Sequence, residues 1–414
     1  MKSPWPTKKL GEICDFIHGF SFKADDFNEK GLGIPVIRTG DLNNLRRTEK
    51  FYSGPYQKDY LVDFGDVLIG LSGTIISGVW KGTKALLNQR VVKLINFKEA
   101  DKKFVGYILP LSLSKLSEEI SRSAVKNVLK HHLESLEIPL PLLPTQQKTV
   151  KILDTIQSAV EIQEKIIEKT KELKKSLMAE LFKYGAPSCR KGRKLKKTEI
   201  GEIPENWEVV RLEEVCDFLN GYAFKTSDYT NDPNDFVVVR MSNITKDGSF
   251  DLSAGRVKYF LKERINEVKQ YLLKKNDLVI AMTDMSKEMG IVGHTAIVDL
   301  DDRYLLNQRV GKIIPNNKVN VFYLHIYTNT PQFIEYIKST CSGSIQMNTS
   351  TSAIKNALLP LPPLPEQREI AETLQTIDQK IEIEQKKKGL YEELFRTMLN
   401  KIMSQEVDVE KIEL

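Results

Sequence analysis

Thr145–Lys183 reads TQQKTVKILDTIQSAVEIQEKIIEKTKELKKSLMAELFK, 39 residues without a proline or a glycine. At about 1.5 Å per residue it predicts one helix of about 58 Å. Pro139, Pro141 and Pro144 hold the preceding backbone extended, and Gly185 and Pro187 end the helix on its other side. Steps of four and three align Thr149, Leu153, Ile156, Val160, Gln163, Ile167, Thr170, Lys174, Leu177 and Leu181. That line is a heptad seam with polar interruptions in its middle. The rest of the circumference is too polar to be buried all round.

A second copy runs from Pro365 to Met403, where LPTQQ becomes LPEQR and DTIQSAVEIQEK becomes QTIDQKIEIEQK. Its seam is Ile370, Leu374, Ile377, Ile381, Glu384, Lys388, Tyr391, Phe395, Met398 and Ile402. Each seam needs an apolar partner, and the economical partner is the other copy. Gln163 and Glu384 read equally well as register markers or as tolerated polar positions.

The repeat extends upstream of both helices. WPTKKLGEICDFIHGFSFK (5–23) matches WEVVRLEEVCDFLNGYAFK (207–225), IPVIRTGDL matches FVVVRMSNI, and LLNQRV stands at 86–91 and at 305–310. The offset grows from 202 residues at Cys14 and Cys216 to 219 at Asn88 and Asn307. Insertions therefore accumulate in connecting segments while the strand-like runs keep their lengths. The chain is a tandem duplication of a globular unit followed by a long helix. Within each unit VVKLI, DVLIG, FVVVR and DLVIAM are short apolar runs bounded by turn residues. Short helices are expected at Lys102–Leu116 and Val321–Lys338. The mixture predicts an α+β domain carrying a curved sheet.

With 414 residues, 41% hydrophobic and 28% charged, the chain suits a soluble protein of two or three domains. No run has the length of a membrane span, and Met1–Trp5 does not lead into a signal-peptide core, so a cytoplasmic location is expected. Cys14, Cys189, Cys216 and Cys341 form no CxxC pair and no Cys/His cluster, which argues for free thiols and against zinc. The net charge of +6 is weak evidence for nucleic acid on its own. Ser188–Lys197, SCRKGRKLKK, holds six basic residues and no acidic one. It reads as a linker that repels itself into extension, ahead of the alternative of a strap along phosphates.

Catalytic signatures are missing: there is no Walker loop, GxSxG elbow, HExxH or GxGxxG. The five histidines lie in unrelated contexts apart from the His131–His132 pair, and Asp66 and Asp277 read as turn caps. No catalytic, cofactor-binding or metal-binding residue is assigned. What repeats is a set of polar and basic side chains on expected loops. It comprises Lys23, Arg38, Thr39, Asp41, Ser72, Thr74, Asn88, Gln89 and Arg90 in the first unit. The second unit offers Lys225, Arg240, Ser242, Asn243, Thr283, Asp284, Ser286, Lys287, Asn307, Gln308, Arg309, Gln346 and Asn348. These side chains can read base edges or grip phosphate oxygens. Residues identical in both units, NQR above all, stand evenly between scaffold and phosphate contact. Positions that differ between the units are the better candidates for specificity.

Two globular units alternating with two long helices, opened by IPLPLLPTQQ and LPLPPLPEQR, resemble the specificity subunit of type I restriction–modification enzymes over essentially the whole chain. The resemblance implies two target recognition domains, 1–144 and 207–364, each reading one half of an asymmetric bipartite target in double-stranded DNA. It implies spacer helices at 145–185 and 365–403 forming an antiparallel coiled coil with pseudo-two-fold symmetry, a basic linker at 186–206 and a tail at 404–414. By the same likeness the chain is not an enzyme. Two methyltransferase subunits would dock on the coiled coil and bring S-adenosylmethionine, and an optional restriction subunit would bring ATP and Mg. Two-fold DNA readers place half-sites about 34–36 Å apart, a separation that a rod of about 58 Å can hold. The second reading is a coiled-coil scaffold whose globular ends bind proteins, and an enzyme stands third.

Overall fold

The computed structural model of the protein describes residues 5–72, 75–122, 130–253, 257–285, 289–343 and 346–413. The chain divides into two units, Met1–Ile167 with Glu384–Leu414, and Glu168–Ile383. In each, the first strand of the globular part pairs antiparallel with the last strand before a long helix: Thr7–Lys9 with Glu137–Pro139, and Glu208–Arg211 with Leu358–Leu361. Among the described residues no helix is long and apolar enough to cross a membrane.

The expected curved sheet is two principal sheets in each unit. In the first unit Asp15–His18, Val91–Ile95, Val67–Gly70 and Ile76–Val79 form an antiparallel sheet in that order. A second sheet is built around a short parallel pair, Ile34–Ile37 with Ala85–Leu87. The second unit repeats both, as Cys216–Asn220, Val310–Pro315, Leu278–Ala281 and Thr295–Ile297, and as a parallel pair of Phe236–Val239 with Tyr304–Leu306. Strands of two to six residues gave a sequence pattern too short to separate one sheet from two. The expected helix at Val321–Lys338 is broken into Val321–Thr328 and Pro331–Ser339, because Thr330 caps the second piece and Pro331 opens it.

The long helices span Leu143–Tyr184 and Leu364–Met403. Pro144 and Pro365 sit in their first turns, where a missing N–H costs nothing. Gly185 ends the first helix in the left-handed region at φ 81°, its N–H donating to the Leu181 carbonyl at 2.9 Å. Every seam position of both helices is buried or half-buried. In the first unit Val150 and Leu153 share a core with Phe395, Met398 and Leu399. In the second, Leu177 and Leu181 share one with Ile370, Leu374 and Ile377.

A buried glutamine fixes each helix to its globular part. Gln146 Oε1 accepts from the Asp101 N–H at 2.7 Å, and its Nε2 donates to the carbonyls of Glu99 (3.0 Å) and Pro141 (2.8 Å). Gln367 Oε1 accepts from the Asn320 N–H at 2.8 Å, and its Nε2 donates to Lys318 (3.0 Å) and Pro362 (2.8 Å). Asp101 and Asn320 in turn cap the helices that begin after them. Gln146 and Gln367, matching positions of the two junction motifs, are therefore structural anchors.

The basic segment is not extended. Leu195–Thr198 pairs with Gly201–Pro204 as a hairpin. Arg193 forks onto Glu366, which also accepts from Trp207 Nε1 at 3.0 Å and from the Ala186 N–H at 3.1 Å. Glu366 is 3% exposed, and a carboxylate so buried must be paired. That requirement overrides the self-repulsion, while Lys194 and Lys197 keep their charges outside.

Removing a buried amide leaves its backbone partners unpaired. Gln367→Ala should destabilise the protein by about 3 kcal/mol, and Gln146→Ala should do the same. Urea unfolding followed by circular dichroism measures both, and an unchanged midpoint would refute the anchoring role.

Candidate nucleic-acid interface

One turn gathers the candidate loops in each unit. The Asn88 N–H donates to the Ile37 carbonyl at 3.2 Å, and the Phe20 N–H to Leu87 at 2.9 Å. The Arg90 carbonyl accepts from the Leu71 N–H at 2.9 Å and from Thr39 Oγ1 at 3.3 Å. In the second unit the Asn307 N–H reaches Val239 at 3.3 Å, Tyr222 reaches Leu306 at 2.9 Å, and Met282 reaches Arg309 at 3.0 Å. NQR is thus the hub on which the GFSFK/GYAFK, RTGD/RMSN and third loops converge. Gly19 and Gly221 are required beside it, since a Cβ on either would run into the Asn88 or Asn307 carbonyl.

Burial sorts the candidates. Lys23, Arg38, Gln89, Arg90, Lys225, Gln308 and Asn348 are exposed, and Thr39, Asp41, Ser72, Asn88, Arg240, Ser242, Arg309 and Gln346 are half-buried. Asn243, Thr283, Asp284 and Asn307 are buried. Thr74, Ser286 and Lys287 lie outside the described residues.

Several of these side chains are engaged in the fold. Asp41 accepts from the Arg38 N–H at 2.8 Å, and Asn243 accepts from the Arg240 N–H at 3.0 Å. Asn307 Oδ1 accepts from the Arg309 N–H at 3.2 Å. Asp284 accepts from the Ile291 N–H at 2.7 Å. Thr283 Oγ1 donates to Asn348 Oδ1 at 2.9 Å, which also accepts from Gln346 Nε2 at 2.8 Å. Those residues stand on a two-strand ribbon, Thr283–Asp284 with Met347–Asn348. Asp66 and Asp277 are the turn caps expected, each accepting a backbone N–H at 2.8 Å.

Two residues were missed. Met285 is 58% exposed beside the ribbon, and the Arg309 guanidinium donates to its Sδ at 3.4 Å. Tyr229 is half-buried among Asn307, Arg240 and Arg309; burial raises its phenol pKa while the two arginines pull it down. Its signal was in the repeat, where it matches the aromatic Phe27.

Behind the second unit's loops lies a polar cluster. Asn329 Nδ2 donates to Thr295 Oγ1 at 2.8 Å, Thr295 Oγ1 stands 3.2 Å from His325 Nδ1, and Gly248 packs on the same ring. His325 retains some exposed surface, yet burial, with Lys174 nearby, pushes its pKa down to about 4. Cys14 and Cys216 are buried thiols pushed up to about 12, by burial first and the adjacent aspartate second. They are inert fillers. Among the described residues no group of three or more His, Cys, Asp or Glu is placed to hold a metal ion.

A family model described as the type I restriction modification DNA specificity domain matches residues 2–172 and 204–390. The type I restriction enzyme MjaVIII specificity subunit of Methanocaldococcus jannaschii is 30% identical over 99% of this chain and 94% of its own. The EcoBI specificity subunit of Escherichia coli is 26% identical over 90% and 79%. The crystal structure of a type I restriction–modification S subunit from M. genitalium superposes with a TM-score of 0.57 at 15% identity, covering 97% of this chain and 96% of that one. At that identity the likeness is one of fold.

The low pKa of His325 sets a pH dependence. Between about pH 6.5 and about pH 4 an unfolded histidine binds a proton that the folded one refuses, so stability falls as pH falls through that window. His325→Asn should flatten this fall. Thermal unfolding of both proteins from pH 7 to pH 4 measures it, and parallel profiles would refute it.

Proposed function

The chain belongs to the type I restriction–modification DNA specificity family, and from that premise we propose that it is the specificity subunit of such a complex, reading double-stranded DNA without catalysing a reaction. The observation that supports this most is the duplicated hub, one turn architecture presenting different side chains in each unit. Lys23, Arg38, Thr39, Ser72, Gln89 and Arg90 face one half-site. Lys225, Arg240, Ser242, Gln308, Arg309, Gln346 and Asn348 face the other, with Met285 as an apolar contact. Arginines and lysines shared by the units serve phosphates, and the residues that differ serve base edges. Thr74, Ser286 and Lys287 remain candidates of the second kind. Asp41, Asn88, Asn243, Thr283, Asp284 and Asn307 hold the loops. Because the two sets differ, the bipartite target is asymmetric.

The long helices act as the spacer. Their seams suit an antiparallel coiled coil with pseudo-two-fold symmetry, and the contacts within each unit run in that sense. Lys388 reaches Glu164 at 3.0 Å in the first unit, and Lys174 reaches Asp378 at 2.6 Å in the second. The outer faces, rich in Glu and Lys, receive two methyltransferase subunits carrying S-adenosylmethionine. A restriction subunit, where present, supplies the ATP- and Mg-dependent steps.

The test is methylome sequencing of a host that expresses the chain with its methyltransferase. One heptad inserted into both helices should lengthen the spacer of the methylated motif and leave its half-sites alone; an unchanged spacer refutes the ruler. In duplex binding by the assembled complex, Arg90→Ala should lower the salt slope by about one, and an unchanged slope removes Arg90 from the phosphate contacts.

A further inference from the structure

An ion cluster in the first unit joins a candidate reading loop to the helices. Arg46 Nη1 lies 2.6 Å from Glu164 and Nη2 lies 3.6 Å from Glu161. Lys81 Nζ lies 2.5 Å from the same Glu161, and Lys388 of the second long helix lies 3.0 Å from Glu164. Three cations thus share two carboxylates one helical turn apart. Burial alone would raise the Glu164 carboxyl, but the bonds from Lys388 and Arg46 hold it below the ordinary range.

Arg46 stands at the end of the loop that carries Arg38, Thr39 and Asp41. The intervening backbone is tightly held: the Asp41 carbonyl accepts from the N–H groups of Asn44 and Leu45, each at 3.1 Å. Leu45 takes the left-handed region at φ 55°, and its carbonyl accepts from the Lys81 N–H at 2.7 Å. Gly78 makes room for the Leu45 side chain and Gly82 for the Arg46 carbonyl. A loop held this way transmits to Thr39 any displacement imposed on Arg46. Thr39 is also bonded to the Arg90 carbonyl in the hub.

The repeat keeps one carboxylate of this cluster, Glu382 in the place of Glu161, and changes two other members. The residue matching Glu164 is Gln385, and the residue matching Lys388 is Ile167. We propose that Arg46, Lys81, Glu161, Glu164 and Lys388 form a brace that positions the first domain's reading loop, so that recognition of one half-site alone depends on it. Arg46 and Glu164 are positioning residues in this scheme, acting through Thr39 and Arg90. The inference rests on the specificity-subunit reading above.

The experiment uses the full chain with its methyltransferase at limiting expression, read by methylome sequencing. Glu164→Gln and Arg46→Gln should each lower the methylated fraction of target sites about threefold, the size expected of half-exposed ion pairs. Both should relax base preference in one half of the motif, the half that Thr39→Ala also affects. Arg46→Lys keeps the charge and should retain most of the methylation. Lys84→Gln, which breaks the exposed pair with Asp63 at 3.2 Å, should match wild type. Wild-type methylation by Glu164→Gln and Arg46→Gln, or equal relaxation of both halves, overturns the brace and leaves the specificity reading standing. A wild-type complex that directs no bipartite methylation overturns both.

Discussion

A buried primary amide at the root of each long helix is the constraint that the other features inherit. A glutamine there presents one acceptor and two donors in a fixed plane, and the surrounding backbone offers one N–H and two carbonyls to meet them. Glutamate would bring acceptors where donors are needed, and asparagine would fall short by a methylene. Because the N–H belongs to the capping residue of a domain helix, the amide sets where the long helix begins and at what rotation. The heptad seam counts from that origin. A slip of one residue at the junction would turn the buried line of Thr149, Leu153 and Ile156, or of Ile370, Leu374 and Ile377, away from its partner surface.

What could be read in the sequence follows from the range of the forces involved. Helical periodicity is local and was repeated, so the seams were legible residue by residue, polar interruptions included: Thr170 and Glu384 are as buried as the spacing required. The anchors were not legible as anchors. Gln146 and Gln367 looked like marks of a helix start because their partners, Glu99 and Lys318, lie 47 and 49 residues upstream. The basic segment failed for the same reason. Its decisive contact, Arg193 to Glu366, spans 173 residues, and no local charge count contains it.

The candidate site divides along a similar line. Identity between the copies drew attention to NQR, but it could not separate the asparagine that closes the turn from the glutamine and arginine that leave it. Asn307 is 5% exposed and bonds the backbone two residues on, whereas Gln308 stands in the open. A turn needs one inward polar side chain to satisfy its own N–H groups, and the remaining positions are then free to face outward. Tyr229 and Met285 escaped because the search selected charged, amide and aliphatic hydroxyl side chains, whereas Tyr229 is mostly aromatic ring and Met285 offers only a thioether. Their place in the cluster comes from packing against arginine.

The two units also solve one packing problem with opposite chemistry. In each, the segment that follows one long helix folds onto the first turn of the other. In the second unit the helix supplies the carboxylate, Glu366, and the incoming segment supplies Arg193. In the first unit the helix supplies the hydroxyl of Thr145 and the ammonium of Lys148, and the incoming segment supplies Glu410, whose carboxylate and carbonyl accept from them at 2.6 and 2.8 Å. Thr145 and Glu366 are matching positions of the repeat. A carboxylate at 145 would put an acceptor where the Thr145 hydroxyl now donates and would set two negative charges side by side, so the matching positions of the two helices carry different side chains. The contact is present in both units, with the carboxylate on the helix in the second and on the incoming segment in the first.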